Sequence, residues 1–141
     1  MPRDSTALAV GADGVAAAIA ATAAERGLDI ALVRNGSRGL FWLEPLVEVA
    51  TAEGRIGYGP VSASDVAALF DAGFHAGGAH PLRLGSIDDL PWLKSQQRLT
   101  FARIGLADPL SLADYERHGG LAGLRRALAM APESIVAEVT D

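Results

Sequence analysis

The chain has 141 residues, half of them hydrophobic and 21% charged, with a formal net charge of −5 and no cysteine. That composition belongs to a folding chain of one ordinary domain, or of a small domain with an ordered appendage, and it excludes disulfides, zinc–thiolate sites and thiolate-ligated iron–sulfur clusters. No Lys/Arg stripe is long enough to neutralise several phosphates, and the longest apolar run, Val15 to Ala24, is too short and too weakly hydrophobic to cross a bilayer, so neither nucleic acid nor membrane insertion is expected. In chain order, Ala7 to Gly11 (ALAVG) reads as a short buried strand. Asp13 then offers an N-cap to an alanine-rich helix that Gly27 can end. Asp29 to Arg34 (DIALVR) reads as a second strand, followed by the turn pair Asn35-Gly36. Leu46 to Ala50 and Arg55 to Tyr58, separated by Thr51 to Gly54, read as a hairpin. Ser62 to Asp65 resembles a capping box, and Val66, Leu69 and Phe70 share one helix face before Gly73. The expected order is β-α-β-β-β-α.

From His75 to Gly85 glycines and a proline break all periodicity, which places a domain boundary there and divides the chain into residues 1–85 and 86–141. In the second part, Ser86 to Gln97 has room for a short helix and Arg98 to Gly105 (RLTFARIG) alternates like an extended arm. Another helix is expected from Ser111 to Arg117. Leu121, Leu124 and Leu128 recur at helical spacing, and Pro132 suits the first position of a last helix bearing Ile135, Val136 and Val139. The apolar face of that helix stops at EVTD, as in a truncated chain.

Few residues suggest chemistry. Consecutive amides in Asn35-Gly36-Ser37-Arg38-Gly39 could form an anion-binding concavity, although the spacing matches neither a Walker loop nor a dinucleotide fingerprint. His75, His80 and His118 lack carboxylates at a defined offset, and no G-x-S-x-G elbow surrounds Ser37. Asp88 and Asp89 are adjacent, so their carboxylates diverge in a helix and point to opposite faces in a strand. Phe41, Trp42 and Leu43, and likewise Leu90 and Trp92, suit either core packing or a subunit interface.

NGSRGLFWLEPLVEV followed by RIGYGPVSASDVAALFDA resembles the second half of the thioredoxin-like ferredoxin domain found at the N-terminus of complex I-type NADH-binding subunits. LKSQQRLTFARIGLADPLSLADYERHGGLAGLRRALAMAPESIVAEV resembles the segment leading into their flavin domain, and the pairing is most similar to the beta subunit of NAD-dependent molybdenum formate dehydrogenases. The resemblance implies an α/β fold: a thioredoxin-like ferredoxin-type β-α-β-β-β-α domain followed by an extended arm and short helices. In cluster-binding relatives four cysteines hold two irons. Here three of those positions carry Asp13, Ser37 and Phe41, and the fourth falls at or near Ala17 or Ala18. These are not soft ligands, so no cluster is expected, and Phe41 is expected to fill part of the vacated space.

The resemblance further implies that FMN, NAD and a four-iron–four-sulfur cluster belong to the parent subunit downstream of these residues. No catalytic or cofactor residue lies in this span. The implied role is structural, docking the flavin subunit against other subunits of a hetero-oligomeric cytoplasmic dehydrogenase. Its candidate contacts are Arg38, Phe41, Trp42 and Glu44 on the former cluster loop, with Arg98, Phe101 and Arg103 on the arm. The alternatives are the same region of another complex I-like NADH dehydrogenase or NAD-reducing hydrogenase subunit, and a stand-alone small α/β module that binds an anion.

Overall fold

A computed structural model describes residues 1–140 of the chain. It is a mixed α/β structure with one three-stranded antiparallel sheet, and it divides into two compact units, Met1–Leu106 and Ala107–Asp141. The boundary expected at Gly85 falls inside a strand instead.

The first unit opens with a departure from expectation. Ala7 to Gly11 is not a strand: Asp4 caps a helix, α1 (Ser5–Ala9), its carboxylate accepting from the Ala7 amide at 3.3 Å. An N-cap aspartate ahead of good helix formers outweighs a short apolar run, and Leu8 and Val10 are exposed rather than buried. The extended segment lies earlier. Met1 to Arg3 runs parallel to Val33 to Asn35, with the Asn35 amide donating to Met1 O (3.1 Å) and the Arg3 amide to Asn35 O (2.9 Å).

Helix α2 (Ala12–Glu25) buries Ala12, Val15, Ala16, Ile19 and Ala23 at helical spacing. It ends where expected, at Gly27, whose amide donates to Ala24 O while that of Leu28 donates to Ala23 O, both bonds of a Schellman cap. The strand expected at Asp29 to Arg34 pairs with no ladder. Leu28, Ile30 and Leu32 nevertheless alternate inward against the core, which is the period the sequence displays.

The hairpin is present as β1 (Val47–Thr51) and β2 (Gly54–Tyr58), paired from Val47↔Tyr58 to Thr51↔Gly54. Ser62 and Asp65 form the capping box ahead of α3 (Val66–Asp71), and the Ser62 hydroxyl and amide hold the Asp65 carboxyl below its usual range. Val66, Leu69 and Phe70 are buried, and Gly73 follows in the left-handed conformation. β3 (Arg83–Ser86) pairs antiparallel with β2, making β2 central; its glycine and the proline before it hid it in the sequence. The main core packs α2 and α3 with the hairpin, closed by Tyr58, Phe70 and Phe74 in edge-to-face contacts. A second cluster of Leu40, Leu46 and Ile87 is flanked by Leu90 and Leu93, around α4 (Pro91–Lys94).

Arg98 to Gly105 is not an extended arm. It folds into successive turns, with the Ile104 amide donating to Phe101 O at 3.1 Å and that of Leu106 to Arg103 O at 3.0 Å. Alternation alone makes no strand where no neighbour supplies a ladder.

In the second unit Ser111 caps α5 (Leu112–Arg117), followed by α6 (Ala122–Ala127) and α7 (Pro132–Thr140). Pro132 takes the first helical position, as its fixed φ favours. The apolar spacing does not become a core here: Leu124, Leu128, Val136 and Val139 are exposed, and ion pairs such as Arg125–Glu116 (2.9 Å) link the surface. Among the described residues no helix is long and apolar enough to cross a membrane.

One consequence concerns pH. The α-amino group of Met1 donates to Val33 O at 2.9 Å, and burial pushes it down to about 6, against a partial rise from the Glu48 charge. Between about pH 6 and 8 the unfolded chain therefore holds a proton that the folded chain releases. Stability should rise across that window by up to ~2–3 kcal/mol, read as the urea midpoint at each pH, and acetylation of the amine should flatten the curve. An identical midpoint at pH 6 and 8 would contradict the burial.

Candidate functional site

The loop from Asn35 to Glu44 is held from both sides. Asp4 Oδ2 accepts from the Ser37 amide (2.6 Å), the Gly39 amide donates to Ser37 Oγ (3.0 Å), and the Ser37 hydroxyl donates to Glu44, which also accepts from Thr6 Oγ1 (3.1 Å). Burial works to raise the Asp4 carboxyl, but hydrogen bonds from the Thr6 hydroxyl and from the amides of Ser37, Ala7 and Thr6 hold it below its usual value. Of the amides foreseen for an anion, that of Ser37 thus already binds the chain's own Asp4 carboxylate, that of Asn35 the Met1 carbonyl and that of Gly39 the Ser37 hydroxyl.

Arg38 is engaged as well. Its guanidinium forms a bidentate pair with Glu48 on β1 (Nε–Oε1 2.8 Å, Nη2–Oε2 2.9 Å), with side-chain exposures of 9% and 3%. Arg38 and Glu44, expected as exposed docking contacts, are therefore buried and internally bonded. Arginine and glutamate beside glycines look like surface residues in a sequence, but here Arg38 meets the Glu48 carboxylate and Glu44 accepts from the Ser37 and Thr6 hydroxyls, which makes burial tolerable. The missed signal was Glu48, a carboxylate inside the apolar run LVEVA.

Residues 96–106 fold back over this loop. Arg98 Nη2 donates to Arg38 O (2.6 Å) and Asn35 Nδ2 to Gly105 O (2.8 Å). Two glycines permit the approach: a Cβ on Gly36 would lie 2.9 Å from Ile104 Cγ1, and one on Gly105, at φ +76°, would lie 2.7 Å from Arg38 Nε. Between loop and turns opens a cavity of about 450 Å³, bordered by Ser37, Gly39, Arg98, Thr100, Phe101 and Ile104 among others. The 37–39 loop and the segment that carries Arg98 and Phe101, far apart in sequence, meet here.

Phe41 does not fill vacated space. It is 57% exposed, Trp42 is 59% exposed and makes an edge-to-face pair with Trp92 (centroids 5.7 Å apart), and Leu99 and Phe101 are 94% and 64% exposed. Arg103 is partly buried. Asp13 pairs with Arg34 at 2.9 Å, and the Ser37 hydroxyl is engaged with Glu44; with Phe41 these side chains do not fit a two-iron cluster. Among the described residues no group of three His, Asp or Glu side chains could hold a metal ion. His75 stacks beside Phe70 and Phe74, His80 Nδ1 accepts from the Leu82 amide, and His118 pairs with Asp114.

No protein-family model matches the chain, and no curated protein does.

Proposed function

We propose that this chain is a non-catalytic docking module: the N-terminal part of the NADH- and flavin-binding beta subunit of a cytoplasmic NAD-dependent formate dehydrogenase. On this reading the first unit is a thioredoxin-like ferredoxin-type domain that has lost its cluster ligands. The parallel contact of residues 1–3 with 33–35 across α1 and α2, followed by an antiparallel hairpin, supports that fold. FMN, NAD and a four-iron–four-sulfur cluster then belong to other parts of the parent subunit, and electrons pass elsewhere. The observation that carries docking is the set of large apolar side chains, Phe41, Trp42, Trp92, Leu99 and Phe101, each more than half exposed on the 37–43 loop and the 92–101 segment. Leaving such surface in water is unfavourable by roughly 25 cal/mol per Å², and aromatics of this kind anchor subunit interfaces.

The test is co-purification of the tagged full chain with the formate-oxidising subunit from cells expressing both. The double variant Trp42→Ala, Phe101→Ala should lose most of the partner, since each anchor contributes about 2 kcal/mol or more. Undiminished co-purification of the folded double variant sinks the docking role. Co-purification with a hydrogenase subunit instead would move the chain to the sister branch.

A further inference from the structure

We propose that the cavity between the 37–39 loop and the 96–104 turns receives an acidic side chain of a partner polypeptide, its carboxylate pairing with Arg98 and its apolar neighbours lying on Leu99 and Phe101. This rests on the docking reading and names the chemistry of the partner.

Charge favours an acidic ligand. Two arginines border the cavity, and Arg38 is already neutralised by Glu48. Arg98 meets no carboxylate among the described residues: its Nε donates to Gln96 Oε1 (2.8 Å) and its Nη2 to the Arg38 carbonyl (2.6 Å), both uncharged acceptors. Those two bonds fix the plane of the guanidinium and leave its other N–H groups for a ligand. The chain carries 17 aspartates and glutamates, yet none lines this cavity. A carboxylate entering it meets a fixed cation without a competing anion, the arrangement that favours short charge-assisted bonds.

Shape favours a polypeptide. A cavity of about 450 Å³ could also admit a free organic acid. Leu99 and Phe101, however, project largely into solvent at 94% and 64% exposure, and a small acid seated at Arg98 would leave them so. A polypeptide covers both.

The experiment is an NMR titration of the ¹⁵N-labelled full chain with the capped peptides acetyl-Phe-Glu-Leu-amide and acetyl-Phe-Gln-Leu-amide, and with phenylacetate as the free acid. The glutamate peptide should shift the amides of Gly39 and Arg98 to Phe101 with a dissociation constant on the order of 1 mM, and the glutamine peptide should bind at least about tenfold more weakly. Arg98→Gln should remove that difference, and Phe101→Ala should weaken both peptides. Equal binding of the two peptides, an undiminished preference for glutamate in Arg98→Gln, or phenylacetate binding as tightly as the glutamate peptide would overturn the proposal. Should Arg98→Gln lose its dispersed spectrum, the peptide ratio on the unaltered chain and the Phe101→Ala titration decide it. Loss of co-purification in the Trp42/Phe101 variant without any peptide preference would leave docking standing and remove this proposal alone.

Discussion

Replacing Arg38 by alanine is expected to destabilise the first unit by about 3 kcal/mol, measured as the shift of the urea midpoint at constant slope. The loss comes less from the attraction removed than from the carboxylate left behind. Glu48 is 3% exposed, and without Arg38 its nearest cation is Arg55 at 3.8 Å, itself 29% exposed. That weaker partner places the effect at the low end of the ~3–5 kcal/mol typical of a broken buried pair. The double replacement Arg38→Met, Glu48→Leu removes both charges and should restore most of the stability, because two apolar side chains of similar volume avoid desolvating either ion. If the double variant were as unstable as the single one, the pair would be needed for more than mutual neutralisation.

Phe74→Ala should cost about 3–5 kcal/mol, the other large effect. Phe74 is 3% exposed and stands edge-to-face to Tyr58 (5.7 Å) and Phe70 (4.9 Å), so truncation leaves a cavity between β2 and α3 that these two rigid rings cannot close. Tyr58→Phe is the control. It keeps the ring contacts and removes the hydroxyl, with its bond to Gly78 O (2.7 Å) and its interaction with Arg83, which should cost about 1 kcal/mol. Comparable losses in the two variants would mean that the hydroxyl, not the packed rings, holds this corner.

Local signals read well where short-range physics decides. Gly27 ends α2, Ser62 and Asp65 box the start of α3, and β1 and β2 pair around Thr51 to Gly54, because caps and hairpin turns act within a few residues. The errors share a cause. Apolarity alone makes Ala7 to Gly11 a strand, while Asp4 three residues earlier fixes the start of a helix. β3 and the turns of residues 98–105 depend on partners remote in sequence. The candidate site was half legible: Phe41, Trp42 and Phe101 stood out by residue type and are exposed, whereas Arg38 and Glu44 look the same in a sequence whether they face water or buried hydrogen-bond partners.

The tether from Asn35 to Gly105 spans 70 residues, and the one from Arg98 to Arg38 spans 60. Once residue 86 has emerged during synthesis, α1 to α3 and the three strands are outside, but the 35–39 loop then still lacks the segment that clamps it. Closing so long a loop costs entropy that nearby contacts do not repay, which makes it a late step. Newly made chains must therefore wait for Gly105 to leave the ribosome before the groove exists, and any partner that reads it can engage only a nearly finished first unit.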